Sequence, residues 1–157
     1  MNSEGSEYGR ILALDLGEKR IGVALSDEAR LFARSLLVFR RSSRTADFTR
    51  IGQLVAEHGV NLILIGLPIR LDGVEGSKAA WVRDYGAALA SQLRIATEYW
   101  DESLSTVRAE ASLAARGESR RKRTGRIDAV AAAMILQDYL DSRLSNGANV
   151  ATDQDCS

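Results

Sequence analysis

Four acidic residues stand where a carboxylate is either costly or well placed for chemistry. Asp15 interrupts the apolar run of "ILALDLGEKRIGVALSD" (11–27), Asp101 and Glu102 follow "IATEYW" (95–100), and Asp128 lies within "RIDAVAAAM" (126–134). A charge inside an apolar strand is expensive to bury, so Asp15 calls for a role. Carboxylates brought together repel, and each is penalised for leaving water unless a cation neutralises them. All-oxygen ligands favour a hard cation, Mg²⁺ or Mn²⁺. One or two such ions can activate water and stabilise the leaving oxygen in phosphodiester cleavage. Gly17, two places after Asp15, would let an ion or phosphate approach the backbone closely.

Other chemistries are restricted by composition. The chain of 157 residues has a single histidine, His58, and a single cysteine, Cys156. A zinc site of Cys and His ligands and an internal disulfide framework are therefore both excluded. Hydrolysis would rest mainly on carboxylates.

Plainer roles are open to several of these residues. Asp101 and Glu102 could cap a following helix, and Asp128 could serve the first turn of the last one. Asp27 reads as a turn residue, His58 as a helix-end residue, and Trp81 and Tyr85 as a core stripe at helical spacing. "ESRRKRTGR" (118–126) carries Arg120, Arg121, Lys122, Arg123 and Arg126 immediately before Asp128. A solvated charged loop would look the same, but these cations are well placed to hold a phosphate backbone.

The elements that must position these groups follow from periodicity. "RILALDLG" and "RIGVALSD" form two strands joined by a glycine-containing turn, and "ARSLLVFR" (33–40) completes an antiparallel meander. "SSRTADFTRIGQLVAEHG" (42–59) is a helix, capped by Asp47 or a nearby Ser or Thr and stopped by Gly59. "VNLILIGLP" (60–68) reads as a parallel strand buried on both faces. A helix over 78–94, a strand over 95–100, a helix beginning at Leu104 and closed by Gly117, and a last helix over 127–144 follow. The order β-β-β-α-β-α-β-α-α predicts an α/β fold, a mixed five-stranded sheet with helices on both faces. With the first strand central, Asp15, Glu102 or Asp101, and Asp128 could converge near the carboxyl ends of the parallel strands. Residues 1–9 read as a flexible leader, 10–144 as one folded domain, and 145–157 as a disordered tail.

Hydrophobic residues make up 45% of the chain and charged ones 27%, an ordinary globular balance. Basic and acidic residues number 21 each, so nucleic-acid binding would need a local patch. No apolar run approaches the roughly 18 residues needed to cross a bilayer. A polar beginning and the lack of a disulfide framework suit the cytoplasm, with no membrane partner.

"DLGEKRIGVALSD" (15–27), "IGLPIRLDGVEGSKAAWVRDY" (65–85), "DESLST" (101–106) and "IDAVAAAMILQDYL" (127–140) resemble, in order, the YqgF-type proteins. That family is known as pre-16S rRNA nucleases or Holliday junction resolvases. The resemblance implies a ribonuclease H-like fold and a metal-dependent nuclease with an Asp, Glu, Asp set, which falls on Asp15, Glu102 and Asp128, with Asp101 an adjacent candidate. It implies a role in trimming precursor small-subunit ribosomal RNA. Two departures stand out. Ser103 takes the place of an arginine usual after the Asp-Glu pair, and "PIRLDG" carries Arg70 in a loop near the expected site. Arg20, Arg70 and the cations of 120–126 are the candidate nucleic-acid contacts.

The leading expectation is a Mg²⁺- or Mn²⁺-dependent nuclease on RNA, with DNA as the other substrate. A Holliday junction resolvase would need a homodimer to place two sites on opposite strands, and nothing in the sequence separates monomer from dimer. A non-catalytic RNA-binding assembly factor is the alternative from another class. An actin-like ATPase shares the fold but needs two such domains, for which the chain is too short.

Overall fold

The computed structural model describes residues 8–69, 75–102 and 130–144. Asp128, Arg70, Ser103, the basic loop, the helix expected after Leu104, and residues 1–7 and 145–157 lie outside them.

Alternation in the first forty residues produces the expected meander. β1 (Arg10–Leu16) pairs antiparallel with β2 (Arg20–Ser26), and β2 with β3 (Ala33–Arg40). The turn between β1 and β2 is closed by a hydrogen bond from the Gly17 N–H to the Arg20 carbonyl, 2.9 Å. A β-carbon on Gly17 would meet that carbonyl at 2.7 Å, so the turn itself requires glycine. The ion or phosphate expected beside Gly17 is not needed to explain it.

α1 (Arg44–His58) begins at Ser43, whose side chain accepts from the Ala46 N–H, and ends at Gly59 in the left-handed region. Asp47 is therefore not the cap. It is buried in the first turn, where one oxygen accepts from the Ser42 N–H at 3.0 Å and the other from the Tyr85 hydroxyl at 3.1 Å. His58 lies in the last turn of α1, near the start of β1, where its carbonyl accepts from Arg10.

β4 (Val60–Leu67) runs parallel to β1 and is buried on both faces, as its unbroken apolar sequence predicts. α2 (Ser77–Leu93) then returns the chain to β5 (Ala96–Asp101), parallel to β4. The order across the sheet is β3-β2-β1-β4-β5, which leaves β1 in the centre. Asp101 is the last residue of β5 rather than the first beyond it.

Alternate residues of the central strands build two cores. Leu12, Leu14 and Leu16 pack with Ile63, Ile65, Phe48, Ile51, Tyr85 and Leu89 under α1 and α2. Ile11, Ala13, Leu62 and Leu64 pack on the other face against a helix over 130–144, through Ala132, Ile135, Leu136, Tyr139 and Leu140. These helix positions recur every three to four residues, and alanines on the sheet let the helix sit close. Helices thus cover both faces. None of the described helices is long and apolar enough to cross a membrane.

The Asp47–Tyr85 hydrogen bond joins α1 to α2 inside the first core. Tyr85→Phe should cost about 1–3 kcal/mol in urea denaturation, because a buried carboxylate loses a donor. Tyr99→Phe, whose hydroxyl is at an exposed hydrogen bond to the Arg83 carbonyl, should cost much less. Equal effects would remove the special role given to Asp47.

Candidate active site

Asp15 continues the row of Ile11 and Ala13, so its side chain belongs to the face covered by the final helix. Its partner on β2 is Gly22, which brings no side chain against it. On the other side, Leu14 pairs with Ile65, and Gly66 follows. A β-carbon on Gly66 would lie 2.6 Å from Glu102 Oε2 and 2.8 Å from Ile135 Cδ1. Two glycines therefore clear the space in which the carboxylates sit.

Glu102 is placed by the sheet, although it lies one residue past β5. Its N–H donates to the Leu67 carbonyl at 3.1 Å, which extends the β4–β5 ladder by one step. Asp101 and Glu102 then face opposite ways, as neighbours in an extended chain must. Asp101 is exposed, whereas Glu102 is 7% exposed. Spacing alone left the two open and the family resemblance pointed to Glu102; burial separates them in the same sense.

The electrostatics of this pair are unfavourable as it stands. Burial, the nearby charge of Glu102 and a hydrogen bond to it available only to the protonated form push the Asp15 carboxyl from its ordinary value of 3.8 up to about 8. Lys78 at the start of α2 opposes this shift. Among the described residues, Glu102 Oε2 is buried without a hydrogen-bond partner. An acceptor oxygen buried without a partner among the described residues, beside a second carboxylate, suits a cation. The donors are carboxylate oxygens, so a hard divalent ion fits them. Among the described residues no third acidic ligand joins the pair.

The remaining expected site residues divide plainly. Arg20 is exposed at the start of β2, beyond the turn from Asp15. Asp128 lies outside the described residues, but the helix that follows it is oriented usefully. Ile135 packs at Gly66, and Tyr139, one turn later, bonds Glu98 lower on β5. The helix therefore runs away from the carboxyl ends of β1 and β4, with its beginning nearest the pair. Asp27 accepts from the Leu31 and Phe32 N–H groups, the turn role expected of it, and these donors hold its carboxyl below the usual range. Gly66 was missed: within "LILIGLP" it reads as the end of a strand, yet it lies inside β4. Lys78, Arg41 and a half-buried Trp81 line a cavity of about 460 Å³ near Asp15. Single cations and an aromatic at helical spacing give no sequence signal for that.

Comparison with known proteins identifies the family. A family model described as "RuvX: Holliday junction resolvase" matches residues 9–142. The chain belongs to the RuvX family. A relative from Syntrophus aciditrophicus, named "Putative pre-16S rRNA nuclease", is 47% identical over 133 residues, covering 85% of this chain and 89% of that protein. One of the same name from Anaeromyxobacter sp. (strain Fw109-5) is 44% identical over 134 residues, covering 85% and 98%. Among solved structures, T. thermophilus RuvC in complex with a Holliday junction substrate matches with a TM-score of 0.52 at 16% identity, covering 86% of this chain and 95% of that one. The fold is that of the ribonuclease H-like nucleases, and this RuvX chain is a nuclease, a hydrolase of phosphodiester bonds.

Two outcomes follow for the RuvX site. The Asp15 pKa lies above that of the unfolded chain, so the native protein holds a proton that the unfolded one has released. In EDTA, raising the pH from the ordinary carboxylate range to about 8 should therefore weaken the fold, by on the order of a few kcal/mol. Asp15→Asn should flatten that dependence in urea denaturation; parallel curves for the two proteins would contradict it. Gly66→Ala must move Glu102, whose Oε2 and Cβ would lie 2.6 and 3.2 Å from the new carbon, and the buried Ile135 Cδ1 at 2.8 Å. Calorimetric titration should show Mn²⁺ binding weakened at least about tenfold, and unchanged affinity would show that the close approach is unimportant.

Proposed function

We propose that this RuvX nuclease cleaves precursor small-subunit ribosomal RNA at a site formed by Asp15, Glu102 and Asp128, with Mg²⁺ or Mn²⁺ as its cation. The observation that carries the reading is the unpartnered, buried Oε2 of Glu102 beside a carboxyl that burial and repulsion have driven far from its ordinary pKa. Asp15 and Glu102, with Asp128, would hold a divalent ion, which would supply positive charge toward the phosphodiester and lower the pKa of water. The protein's own part is to fix the donors. The β1–β4–β5 ladder sets the spacing of Asp15 and Glu102, Gly22 and Gly66 keep the space open, and the final helix seals the apolar side. Asp128 is the proposed third ligand or base, supported by the end of the sheet at which that helix begins. Asp101 is the adjacent candidate.

Arg20, Arg70 and Arg120, Arg121, Lys122, Arg123 and Arg126 are the proposed contacts for the nucleic-acid backbone, in a cytoplasmic protein acting as monomer or homodimer. RNA is preferred as substrate because the relatives at 40–47% identity carry the rRNA nuclease name. The family description supports a second reading, resolution of four-way DNA junctions.

The test is a cleavage assay with and without Mn²⁺ on single-stranded RNA, single-stranded DNA and a four-way junction in parallel. Metal-dependent cutting of RNA is expected. Asp15→Asn and Glu102→Gln should abolish it, with circular dichroism unchanged. Cutting confined to the junction would transfer the function to DNA. Normal RNA cleavage by Asp15→Asn would refute the site, and salt-sensitive RNA binding with no product would make this an assembly factor.

A further inference from the structure

The cavity of about 460 Å³ lies at the carboxyl end of β1, on the α2 side of the sheet. Its walls come from the β1–β2 turn (Gly17, Glu18), from Arg41 just after β3, and from the first turns of α2 (Ser77, Lys78, Trp81). These walls are tied together. The Arg41 guanidinium donates to the Gly17 and Glu18 carbonyls at 3.0 and 2.9 Å and lies over the Trp81 ring at 4.4 Å. Arg41 Nε is buried with no hydrogen-bond partner. Lys78 is exposed and makes no hydrogen bond or ion pair among the described residues. Its charge reaches both this cavity and Asp15. Trp81 is only half buried, so part of its ring surface is available.

We propose that this cavity is a subsite for one nucleotide of a single-stranded substrate, with Lys78 on its phosphate and the Trp81–Arg41 wall against its base. The proposal rests on the nuclease reading above and adds the path of the strand. Gly17 is two residues beyond Asp15, about 7 Å along the backbone. A strand crossing the carboxyl-end rim of the sheet would thus set one phosphate at the carboxylates and a neighbouring nucleotide in the cavity. A cation with no hydrogen bond or ion pair among the described residues suits a phosphate, and an aromatic face held in place by a stacked guanidinium suits a base of any sequence. Among the described residues, Glu18 is the one anionic lining group. It is exposed, its side chain is screened by water, and Lys78 and Arg41 outnumber it.

Anisotropy of a labelled single-stranded oligoribonucleotide of about ten nucleotides, with the full chain in EDTA, separates binding from cleavage. Lys78→Ala should weaken binding about fivefold and make the slope of log affinity against log salt shallower by about 0.7, the contribution of one released counterion. Trp81→Ala should weaken it about tenfold while leaving the salt slope unchanged, and Trp81→Phe should restore most of the loss. A deoxyribonucleotide of the same sequence should respond in the same direction. Lys78 is exposed, so its variant tests the idea without disturbing the core. Parent-like binding and salt dependence in both Lys78→Ala and Trp81→Ala would overturn the subsite. If the parent cuts RNA with Mn²⁺ and Lys78→Ala keeps its KM, the nuclease reading stands and the subsite falls. If Lys78→Ala loses binding while the parent cuts nothing, the subsite stands and the cleavage reading falls.

Discussion

Asp15 and Glu102 are held against each other in a mostly buried place, where each makes the other's charge more costly. Two carboxyl groups would not stay there unless the surrounding structure forced them to. The forcing comes from backbone pairing: Asp15 is locked into the central strand between β2 and β4, and Glu102 is locked by one further ladder hydrogen bond past β5. Neither can retreat to water without breaking sheet hydrogen bonds. The stability of the two hydrophobic cores is what keeps the unfavourable pair in place.

That arrangement explains features that would otherwise look accidental. A glycine faces Asp15 across β2, and another follows beside it on β4, because a larger side chain at the second would occupy the place of the Glu102 carboxylate. The final helix brings small and aliphatic residues to the face below, so water is kept from the apolar side. On the opposite side of the same rim, the hairpin turn, Arg41 and α2 enclose a cavity whose cations face the same end of the sheet. The site therefore has a dry floor and a positively charged shoulder.

Much of the fold was legible because its signals are local. Alternation in residues 10–40 sets a meander, the unbroken apolar run 60–67 sets a strand buried on both sides, and Ser43 and Gly59 bound α1 by capping chemistry that needs no distant partner. Asp15 was legible too, since a charge in such a run stands out. The choice between Asp101 and Glu102 was legible only through the family resemblance, which pointed to Glu102; spacing left it open, because it depends on which of two neighbours the last ladder bond turns inward. Gly17 was read as room for a ligand and proved to be required by its own turn. Gly66 was read as a strand end and proved to be room for Glu102. Trp81 was grouped with Tyr85 by helical spacing, and it does pack against the same core, yet Tyr85 is fully buried while Trp81 also lies at a cavity wall.

The sequence by itself determined the kinds of element, their order, the family and the chemistry available: carboxylates without a histidine partner, in a chain whose pattern leaves few alternatives to a mixed sheet. Only the tertiary structure decided how Glu102 is turned against Asp15, which glycine clears the space for it, and where a lysine and a tryptophan become neighbours. The reason is physical. Periodicity and capping act over a few residues and are written along the chain, whereas burial, repulsion and cavity shape arise between groups 87 residues apart, such as Asp15 and Glu102, and exist only once the sheet has brought them together.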